Sequence, residues 1–207
     1  MLKLHGFTIS NYFNMVKMAL IEKGIDFEFV DVRPNQESDF LAKSPMGKVP
    51  CLETEEGFIS ETSVIFDYLE DLGQGTSLYP ASAYDRAKVR ELVKGIELYI
   101  ELPARTCFAE AFFGGTVSDE VKEKAKVAVV KGMEALQRNG KFSPYLAGDS
   151  FTYADIMFMY SVNLAGAASK RVLGMNLLEN FPQAKELMAL IGERESAKKI
   201  AADQKAS

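Results

Sequence analysis

The chain contains few cysteines and histidines, and this scarcity excludes several classes of protein. Of its 207 residues, only Cys51, Cys107 and His5 belong to these two types. Two cysteines cannot build a framework of disulfides, and one histidine beside them forms no recognisable zinc cluster, so we predict no metal site. The sequence also has no Cys-x-x-Cys motif and no cysteine between residues 6 and 14, which argues against a dithiol redox protein.

Long apolar runs and an excess of positive charge are also absent. No stretch of about 18 apolar residues lacks a charged residue, so we predict no membrane-spanning helix. The formal net charge is −5, whereas nucleic-acid-binding domains are usually basic. The N-terminal residues lack the basic and apolar regions of a signal peptide. We therefore expect a soluble cytoplasmic protein that binds neither nucleic acid nor membranes.

What the chain does contain is typical of a globular protein with one or two domains. Hydrophobic residues make up 47% of the sequence and charged residues 26%, close to the globular average. Up to Gly73, short segments with strand and helix periodicity alternate in the order β-α-β-α-β-β-α. The predicted strands are 2–5, 27–32, 49–54 and 57–59, and the predicted helices are 14–23, 37–42 and 62–72.

The second part of the sequence has a helical pattern throughout. From Gly73 to Pro80 the composition changes to Gly, Gln, Thr, Ser and Pro, which is typical of a connection. The helical segments beyond it are 84–113, 120–138, 152–168 and 182–193, and Thr152 and Asp155 have the spacing of a capping box. We predict an α/β domain at 1–79, a linker at 80–86 and an all-helical domain at 87–207.

Three polar loops lie where ligands bind in open α/β sheets, at strand ends and helix starts. The first runs from Thr8 to Asn14, and either Ser10 or Asn11 is the natural N-cap of the following helix. Its polar groups serve either as a plain cap or as a site for an anion such as a thiolate, which the helix N-terminus stabilises. Both interpretations stay open from the residues alone.

The second loop is Gly-Lys-Val-Pro-Cys-Leu at 47–52. Pro50 cannot donate to a sheet ladder and therefore belongs at the start of its strand or at an edge. A cis bond after Val49 would leave the Val49 backbone available to a ligand, although only about 5–6% of such bonds are cis. We expect Cys51 to be a small buried hydrophobic residue rather than a nucleophile.

The third loop, 59–63, opens a predicted helix with the sequence Ile-Ser-Glu-Thr-Ser. It is interpreted either as a capping sequence with an acidic residue in the first turn or as a site for an amino-acid-like ligand. In the second interpretation, backbone N–H groups and the Thr62 hydroxyl bind a carboxylate, and Glu61 binds an ammonium group.

Taken together and in this order, the loops and the helical segments closely resemble the glutathione S-transferase superfamily over essentially the whole chain. The most specific segments are SPMGKVPCL at 44–52, ISETSVIFDYL at 59–69 and LAGDSFTYAD at 146–155. The resemblance implies a thioredoxin-like N-terminal domain that binds glutathione, an all-helical C-terminal domain and a homodimer.

The resemblance also implies roles for single residues. Val49 precedes the family's cis-proline, Pro50, and would pair its backbone with the cysteinyl unit of glutathione. Glu61 and Thr62 match the acid–hydroxyl pair that holds the γ-glutamyl end. Lys48 stands where relatives often carry Gln, so it either brings a positive charge near the anionic tripeptide or is simply solvated.

The resemblance implies one thiol-activating residue and leaves alternatives to it open. Phe7 stands near the position of the activating tyrosine in tyrosine-type classes, and Tyr12 falls near the cysteine position of cysteine-type classes, so the chain matches neither. Ser10 matches the activating serine of serine-type classes. Asn11 and Tyr12 are the alternates, and the absence of any activator also stays open.

The same resemblance places an apolar electrophile against Phe7 and Ile9 and against the aromatic stretch 99–113. In that stretch, Phe108, Phe112 and Phe113 would line the pocket, although they fit a core or dimer-interface face at least as well. Arg105 and the pair at 170–171 could bind an anionic substrate or be solvated.

The leading functional hypothesis is therefore a glutathione transferase that converts the thiol to a thiolate for attack on an apolar electrophile. One alternative is a glutathione-dependent isomerase of the maleylacetoacetate type, whose Ser-Ser-Cys pattern is replaced here by Ser10-Asn11-Tyr12. The other alternative is a non-catalytic binding protein, because a fold alone does not determine a function.

Overall fold

A computed structural model describes residues 1–206, and the contacts within it divide the chain into two units. The first unit comprises Met1–Tyr79 together with the chain from Glu193 onward, and the second is Pro80–Gly192. The sequence predicts an all-helical domain at 87–207. The structure corrects this at the C-terminal end, where the last helix packs within the first unit.

The first unit is built on a four-stranded mixed sheet with the strand order β2-β1-β3-β4. Strand β2 is parallel to β1, whereas β3 is antiparallel to β1 and β4 is antiparallel to β3. The strands are β1 (Leu2–Gly6), β2 (Phe27–Asp31), β3 (Cys51–Glu53) and β4 (Phe58–Ser60), and the helices among them are α1 (Asn11–Lys23), α2 (Ser38–Leu41) and α3 (Thr62–Asp71). This confirms the predicted β-α-β-α-β-β-α order.

Helix α1 forms the parallel crossover from β1 to β2 and begins three residues before the predicted start. Its side chains of Phe13, Met15 and Leu20 are fully buried. A Cβ atom on Gly6 would lie 2.3 Å from the Phe13 ring. Gly6 therefore lets the first turn of α1 approach the end of β1, and this sets the position of the loop that joins them.

The last helix, α10 (Glu195–Lys205), attaches to α1 through two ion pairs. Arg194 binds Glu22 with nitrogen–oxygen distances of 2.8 and 2.6 Å, and Lys17 lies 2.6 Å from Asp203. Burial acts to raise the pKa of Glu22, but hydrogen bonds from Arg194 and Ser196 outweigh it and hold this pKa below its usual range. The sequence pattern missed α10 because few of its residues are apolar and buried.

The second unit consists of helices, but their boundaries differ from the prediction in two places. Ser82 caps α4 and the helix begins at Ala83, so the predicted linker 80–86 is partly helical. The predicted single helix 84–113 is interrupted by a π-helical stretch, Glu97–Glu101, and by a break after Arg105. The helices are α4 (Ala83–Ile96), α5 (Leu102–Arg105), α6 (Phe108–Phe113), α7 (Asp119–Asn139), α8 (Tyr153–Val172) and α9 (Pro182–Gly192).

Pro103 gives a physical reason for the interruption. It has no N–H, so it cannot donate to the Tyr99 carbonyl four residues earlier, and regular α-helical hydrogen bonding fails at this point. The Tyr99 carbonyl instead faces α7, where a Cβ atom on Gly132 would come within 2.1 Å of its oxygen. A glycine at this position is what allows the two helices to approach so closely.

Helix α8 is the most deeply buried helix of the second unit, as its nearly all-apolar sequence predicts. The capping box at its start is confirmed. The Asp155 carboxylate accepts hydrogen bonds of 2.8 Å from the backbone N–H groups of Thr152 and Leu146. Asp155 therefore joins the first turn of α8 to the loop before it.

Candidate active site at one edge of the sheet

The register of the strands brings the three polar loops to one edge of the sheet. His5 pairs with Cys51, and Cys51 pairs with Ser60, so these residues form one row across β1, β3 and β4. Because the strand directions alternate, the end of β1, the start of β3 and the end of β4 lie at the same edge. Neighbouring strands are about 4.8 Å apart, so the outer two of these loops start within about 10 Å of each other.

Ser10 is the N-cap of α1, as predicted. Its hydroxyl oxygen accepts a hydrogen bond of 3.3 Å from the backbone N–H of Phe13. No group among residues 1–206 accepts a hydrogen bond from the Ser10 hydroxyl. The half-buried hydroxyl therefore has its proton available for donation and lies at the positive end of a 13-residue helix.

Further hydrogen bonds fix the loop that carries Ser10. The backbone N–H of Ser10 donates to the Phe7 carbonyl at 3.0 Å, which closes a turn. The buried side-chain amide of Asn14 donates to the Thr8 carbonyl at 2.7 Å. Both alternates, Asn11 and Tyr12, lie half-buried in the first turn of the same helix. The loop and the cap thus form one ordered segment.

The bond between Val49 and Pro50 is cis, and Val49 is buried. The backbone N–H and C=O of Val49 have no hydrogen-bond partner within residues 1–206. Immediately before it, Ser44 holds the loop, since its hydroxyl donates to the Lys48 carbonyl at 2.8 Å and accepts from the Lys48 N–H at 3.2 Å. The Lys48 side chain is exposed.

Glu61 has an unusual backbone conformation at the start of α3. Its φ and ψ angles are 71° and 116°, which is a strained region for a residue with a Cβ atom. It occupies the N-cap position, but its side chain makes no capping hydrogen bond and is exposed. The simple capping interpretation of this loop is therefore wrong for Glu61.

The neighbouring residue, Thr62, lies at the first position of α3 and is buried. Its hydroxyl has no hydrogen-bond partner within the described chain. The first-turn N–H groups of α3 receive no side-chain cap, and such groups together with the helix dipole favour a bound anion. An exposed acid and an uncapped helix start thus lie side by side.

The cysteine on this edge is not reactive at neutral pH. Cys51 is fully buried, and its thiol donates a hydrogen bond of 3.3 Å to the Lys43 carbonyl. Burial raises the pKa of Cys51 to about 11, so the thiol stays protonated. This confirms that Cys51 is a buried hydrophobic residue rather than a nucleophile.

The residues predicted to line the electrophile pocket belong to two different units. Phe7 is half-buried in the first unit, and Ile9 exposes 62% of its surface. In the second unit, the rings of Phe108 and Phe112 meet edge to face at 5.0 Å, and Phe108 is buried. The grouping of these four residues into one pocket stays a prediction.

Two of the cations considered for substrate binding, Arg105 and Arg171, make contacts within the second unit, whereas Lys170 is exposed. Arg105 binds the fully buried Glu101 with distances of 2.9 and 2.6 Å, and its guanidinium lies 5.0 Å from the Phe108 ring centre. Arg171 stacks on Phe112 at 4.9 Å. Arg105 therefore contributes to the packing of its own unit, and its role in binding an anionic substrate stays a prediction.

Within residues 1–206, no cluster of three or more His, Cys, Asp or Glu side chains is placed to hold a metal ion. The described helices also include none that is long and apolar enough to cross a membrane.

Family models and a curated relative agree on what this chain resembles. The model of the glutathione S-transferase N-terminal domain matches residues 4–77, and the model of the C-terminal domain matches residues 105–202. A glutathione S-transferase from Pseudomonas putida is 56% identical over all 207 residues, which cover 94% of that protein. The chain belongs to the glutathione S-transferase family.

Solved structures of glutathione transferases support the same assignment. A glutathione S-transferase from Rhodospirillum rubrum is 29% identical, with a TM-score of 0.76 over 97% of this chain and 91% of that one. A glutathione transferase from Populus trichocarpa superposes with a TM-score of 0.86 over the whole of both chains, and at 23% identity it supports the fold alone. The predicted fold class, thioredoxin-like followed by all-helical, is confirmed.

Two residues that shape this edge of the sheet were not singled out by the sequence analysis. Ser44 was noted only as part of a motif, although it closes the loop on Lys48. Arg33 follows β2 and stacks on Phe7, with its guanidinium 4.6 Å from the ring centre. No local pattern reveals the Arg33 contact, since the two partners are 26 positions apart in the sequence.

Proposed function

We propose that this protein is a glutathione transferase in which Ser10 donates a hydrogen bond to the glutathione sulfur and stabilises it as a thiolate. One observation carries the proposal. The Ser10 hydroxyl accepts from the Phe13 N–H and has no acceptor for its own proton among residues 1–206. A donor held in this way, at the positive end of a helix, interacts more strongly with a thiolate than with a thiol.

The neighbouring loops supply the proposed binding groups for the rest of glutathione. The unpartnered backbone of Val49, beside Pro50, would pair with the cysteinyl unit, as in a strand addition. Glu61 would bind the γ-glutamyl ammonium group, and the Thr62 hydroxyl with the first-turn N–H groups of α3 would bind its carboxylate. The exposed Lys48 would add a favourable charge for the anionic tripeptide.

These positions suit the size of the ligand. The Val49 backbone lies two residues before β3, whose neighbours in the sheet are β1 and β4. A cysteinyl unit bound there can direct its sulfur toward Ser10 while its γ-glutamyl end reaches α3. The distance from β3 to β1 and the distance from β3 to β4 are each one strand spacing of about 4.8 Å.

The proposed reaction is a substitution in which every group is accounted for. The thiol proton leaves to water, the sulfur forms a bond to an electrophilic carbon, and the leaving group departs with the electron pair of its bond. A free thiol with a pKa near 8.5 is only a few per cent ionised at pH 7. Each unit by which the protein lowers that pKa corresponds to about 1.4 kcal/mol of preferential thiolate binding.

The proposed electrophile is apolar and small, with Phe7, Ile9, Phe108 and Phe112 as the lining residues. Asn11 and Tyr12 stay alternates for the contact to sulfur, because they share the first turn of α1 with Phe13. The family models and the similar glutathione transferases favour neither the isomerase nor the non-catalytic binding protein. Glutathione binding without turnover of any electrophile would support the second of these.

The homodimer and the cytoplasmic location that the family resemblance implies are part of the same proposal. Light scattering coupled to size-exclusion chromatography tests the first, with twice the 22.9 kDa chain mass as the expected result. Fractionation of the native host cells tests the second.

Conjugation of glutathione to a chlorodinitrobenzene-type electrophile tests the proposed function. We expect saturable turnover in both substrates, and a thiolate absorbance that appears when glutathione is added to the protein. A protein that does not bind glutathione would contradict the proposal.

A further inference from the structure

We propose that Arg33 is a specificity-determining residue that binds the carboxylate of an anionic electrophile beside the activated sulfur. The inference rests on the proposed transferase function and adds to it the charge of the second substrate. It starts from the contact between Arg33 and Phe7, in which the guanidinium carbon lies 4.6 Å from the ring centre.

The strand register explains why Arg33 lies at this edge. Strand β2 is parallel to β1, Gly6 pairs with Asp31, and the Val32 N–H donates to the Gly6 carbonyl at 2.9 Å. Phe7 follows Gly6 directly and Arg33 lies two residues after Asp31, so both lie just beyond the ends of their paired strands. The Phe7 carbonyl accepts the hydrogen bond from the Ser10 N–H. Arg33 thus stacks on the turn that carries Ser10.

Arg33 is held in place without being neutralised. The following residue is Pro34, which restricts the Arg33 backbone to extended conformations. The Asn35 side-chain amide donates to the Arg33 carbonyl at 3.0 Å. Arg33 is exposed, and no carboxylate among residues 1–206 forms an ion pair with it. A planar cation fixed on an aromatic ring, with its donors unused, suits a carboxylate well.

The strand order indicates which substrate supplies that carboxylate. The groups proposed for glutathione lie at β3 and β4, on one side of the strand that leads to Ser10, whereas Arg33 follows β2 on the other side. An electrophile that approaches the sulfur from the β2 side would rest its apolar part on Phe7 and present its carboxylate to Arg33. Arg33 would then select an acid over a neutral analogue.

The test compares chlorodinitrobenzoate with its methyl ester, because the two share the reacting carbon and differ in charge. In Arg33→Gln, we expect the KM for the benzoate to rise about tenfold, the loss typical of a hydrogen bond to a charged group, and the KM for the ester to stay within about twofold. Arg33→Lys keeps the positive charge but loses the paired N–H donors of the guanidinium, so we expect an intermediate KM for the benzoate.

The matched control is Lys43→Gln. Lys43 is also a cation above an aromatic ring, 5.5 Å from the centre of Phe58, but Phe58 pairs with Glu53 at the opposite edge of the sheet. We expect no change in either KM in this variant, because the same charge is lost from a side chain that stacks on Phe58 and not on the turn that carries Ser10. An equal effect of Lys43→Gln would show that only the net charge of the protein matters and would overturn the inference.

Two further outcomes separate the inference from the proposed function. A rise in the KM for glutathione with both electrophiles would assign Arg33 to glutathione and overturn its role in electrophile selection. The inference would also be overturned if Arg33→Gln had the same kinetics as the wild type with the benzoate and with the ester. A wild-type protein that binds glutathione but conjugates neither compound would contradict the transferase function itself.

Discussion

The hydroxyl oxygen of Ser10 accepts a 3.3 Å hydrogen bond from the Phe13 N–H, and this contact gives Ser10 two roles at once. It satisfies one of the free N–H groups at the start of α1, which stabilises the helix. It also leaves the hydroxyl proton available for donation, and in the proposed reaction that proton would be donated to the glutathione sulfur. Structure and proposed catalysis therefore depend on the same oxygen atom.

The first prediction separates the capping role of Ser10 from its proposed catalytic role by removing two serine helix caps, one at each of two helices. Ser10→Ala should lower the free energy of unfolding by about 1 kcal/mol through the lost cap and should lower kcat/KM for conjugation by roughly 100-fold. Ser82→Ala removes a similar cap, with a 3.4 Å contact to the Asp85 N–H, from α4. This control should lose similar stability and keep its activity. Denaturant unfolding and steady-state kinetics measure both, and full activity in Ser10→Ala would point to Asn11 or Tyr12 instead.

The second prediction concerns the charge of Glu61. Glu61→Gln keeps the shape of the side chain and removes its charge, so the KM for glutathione should rise roughly tenfold because a charge-assisted hydrogen bond to the ammonium group is lost. kcat should change little, since Glu61 does not contact the sulfur in this proposal. Titration calorimetry with glutathione measures the affinity directly. An unchanged affinity would remove Glu61 from the binding site.

The third prediction concerns the backbone strain at Glu61, where φ is 71°. Glu61→Gly should be about 1 kcal/mol more stable than Glu61→Ala, because only glycine adopts this φ without a steric penalty. Glu37 provides the control, since it is also a helix N-cap without a side-chain bond but has an ordinary φ of −71°. The glycine–alanine difference at Glu37 should be smaller. Equal differences at both positions would show that Glu61 is not strained.

The fourth prediction concerns a buried ion pair in the first unit. Lys23 Nζ lies 3.0 Å from Glu70 Oε2, and the two side chains expose only 1% and 6% of their surface. Lys23→Met should destabilise the protein by about 3–5 kcal/mol, because the carboxylate is left buried without its cation. Lys124→Met breaks an exposed pair with Glu120 and should change stability by less than about 1 kcal/mol.

The same pair predicts a pH dependence of stability. Burial acts to raise the pKa of Glu70, but hydrogen bonds from Ser77 and Lys23 outweigh it and hold this pKa below its usual range. A carboxyl with a lowered pKa in the folded state stabilises the protein at neutral pH, and this contribution is lost as pH falls below the ordinary value of 4.5. Acid unfolding should therefore depend less on pH in Glu70→Gln than in the wild type. If the free energy of unfolding depended on pH in the same way in both proteins, the lowered pKa of Glu70 would be contradicted.

Local features of the sequence predicted much of the fold and part of the site. The Ser10 cap and the Thr152–Asp155 capping box depend on residues within one turn, so their short spacing was sufficient. The burial of Cys51 followed from its apolar neighbours. The cis bond at Pro50 did not follow from the residues, because most X–Pro bonds are trans; it came from the family resemblance.

The features that the sequence did not reveal depend on distant contacts. Helix α10 has few apolar residues, and it is held to α1 largely by Arg194 and Glu22, which are 172 residues apart. The backbone conformation of Glu61 is set by its position between β4 and α3. The stacking of Arg33 on Phe7 requires the register of β1 and β2, which periodicity alone does not give.

The pKa of protein-bound glutathione in the wild type and in Ser10→Ala is the most direct test of the central claim. Thiolate absorbance in the ultraviolet, recorded as a function of pH with saturating glutathione, gives this value. We predict a pKa at least about one unit below that of the free thiol, which is near 8.5, in the wild type and in Ser82→Ala, and a return toward the free value in Ser10→Ala. An equally lowered pKa in Ser10→Ala would contradict the assignment of Ser10 as the residue that activates the thiol.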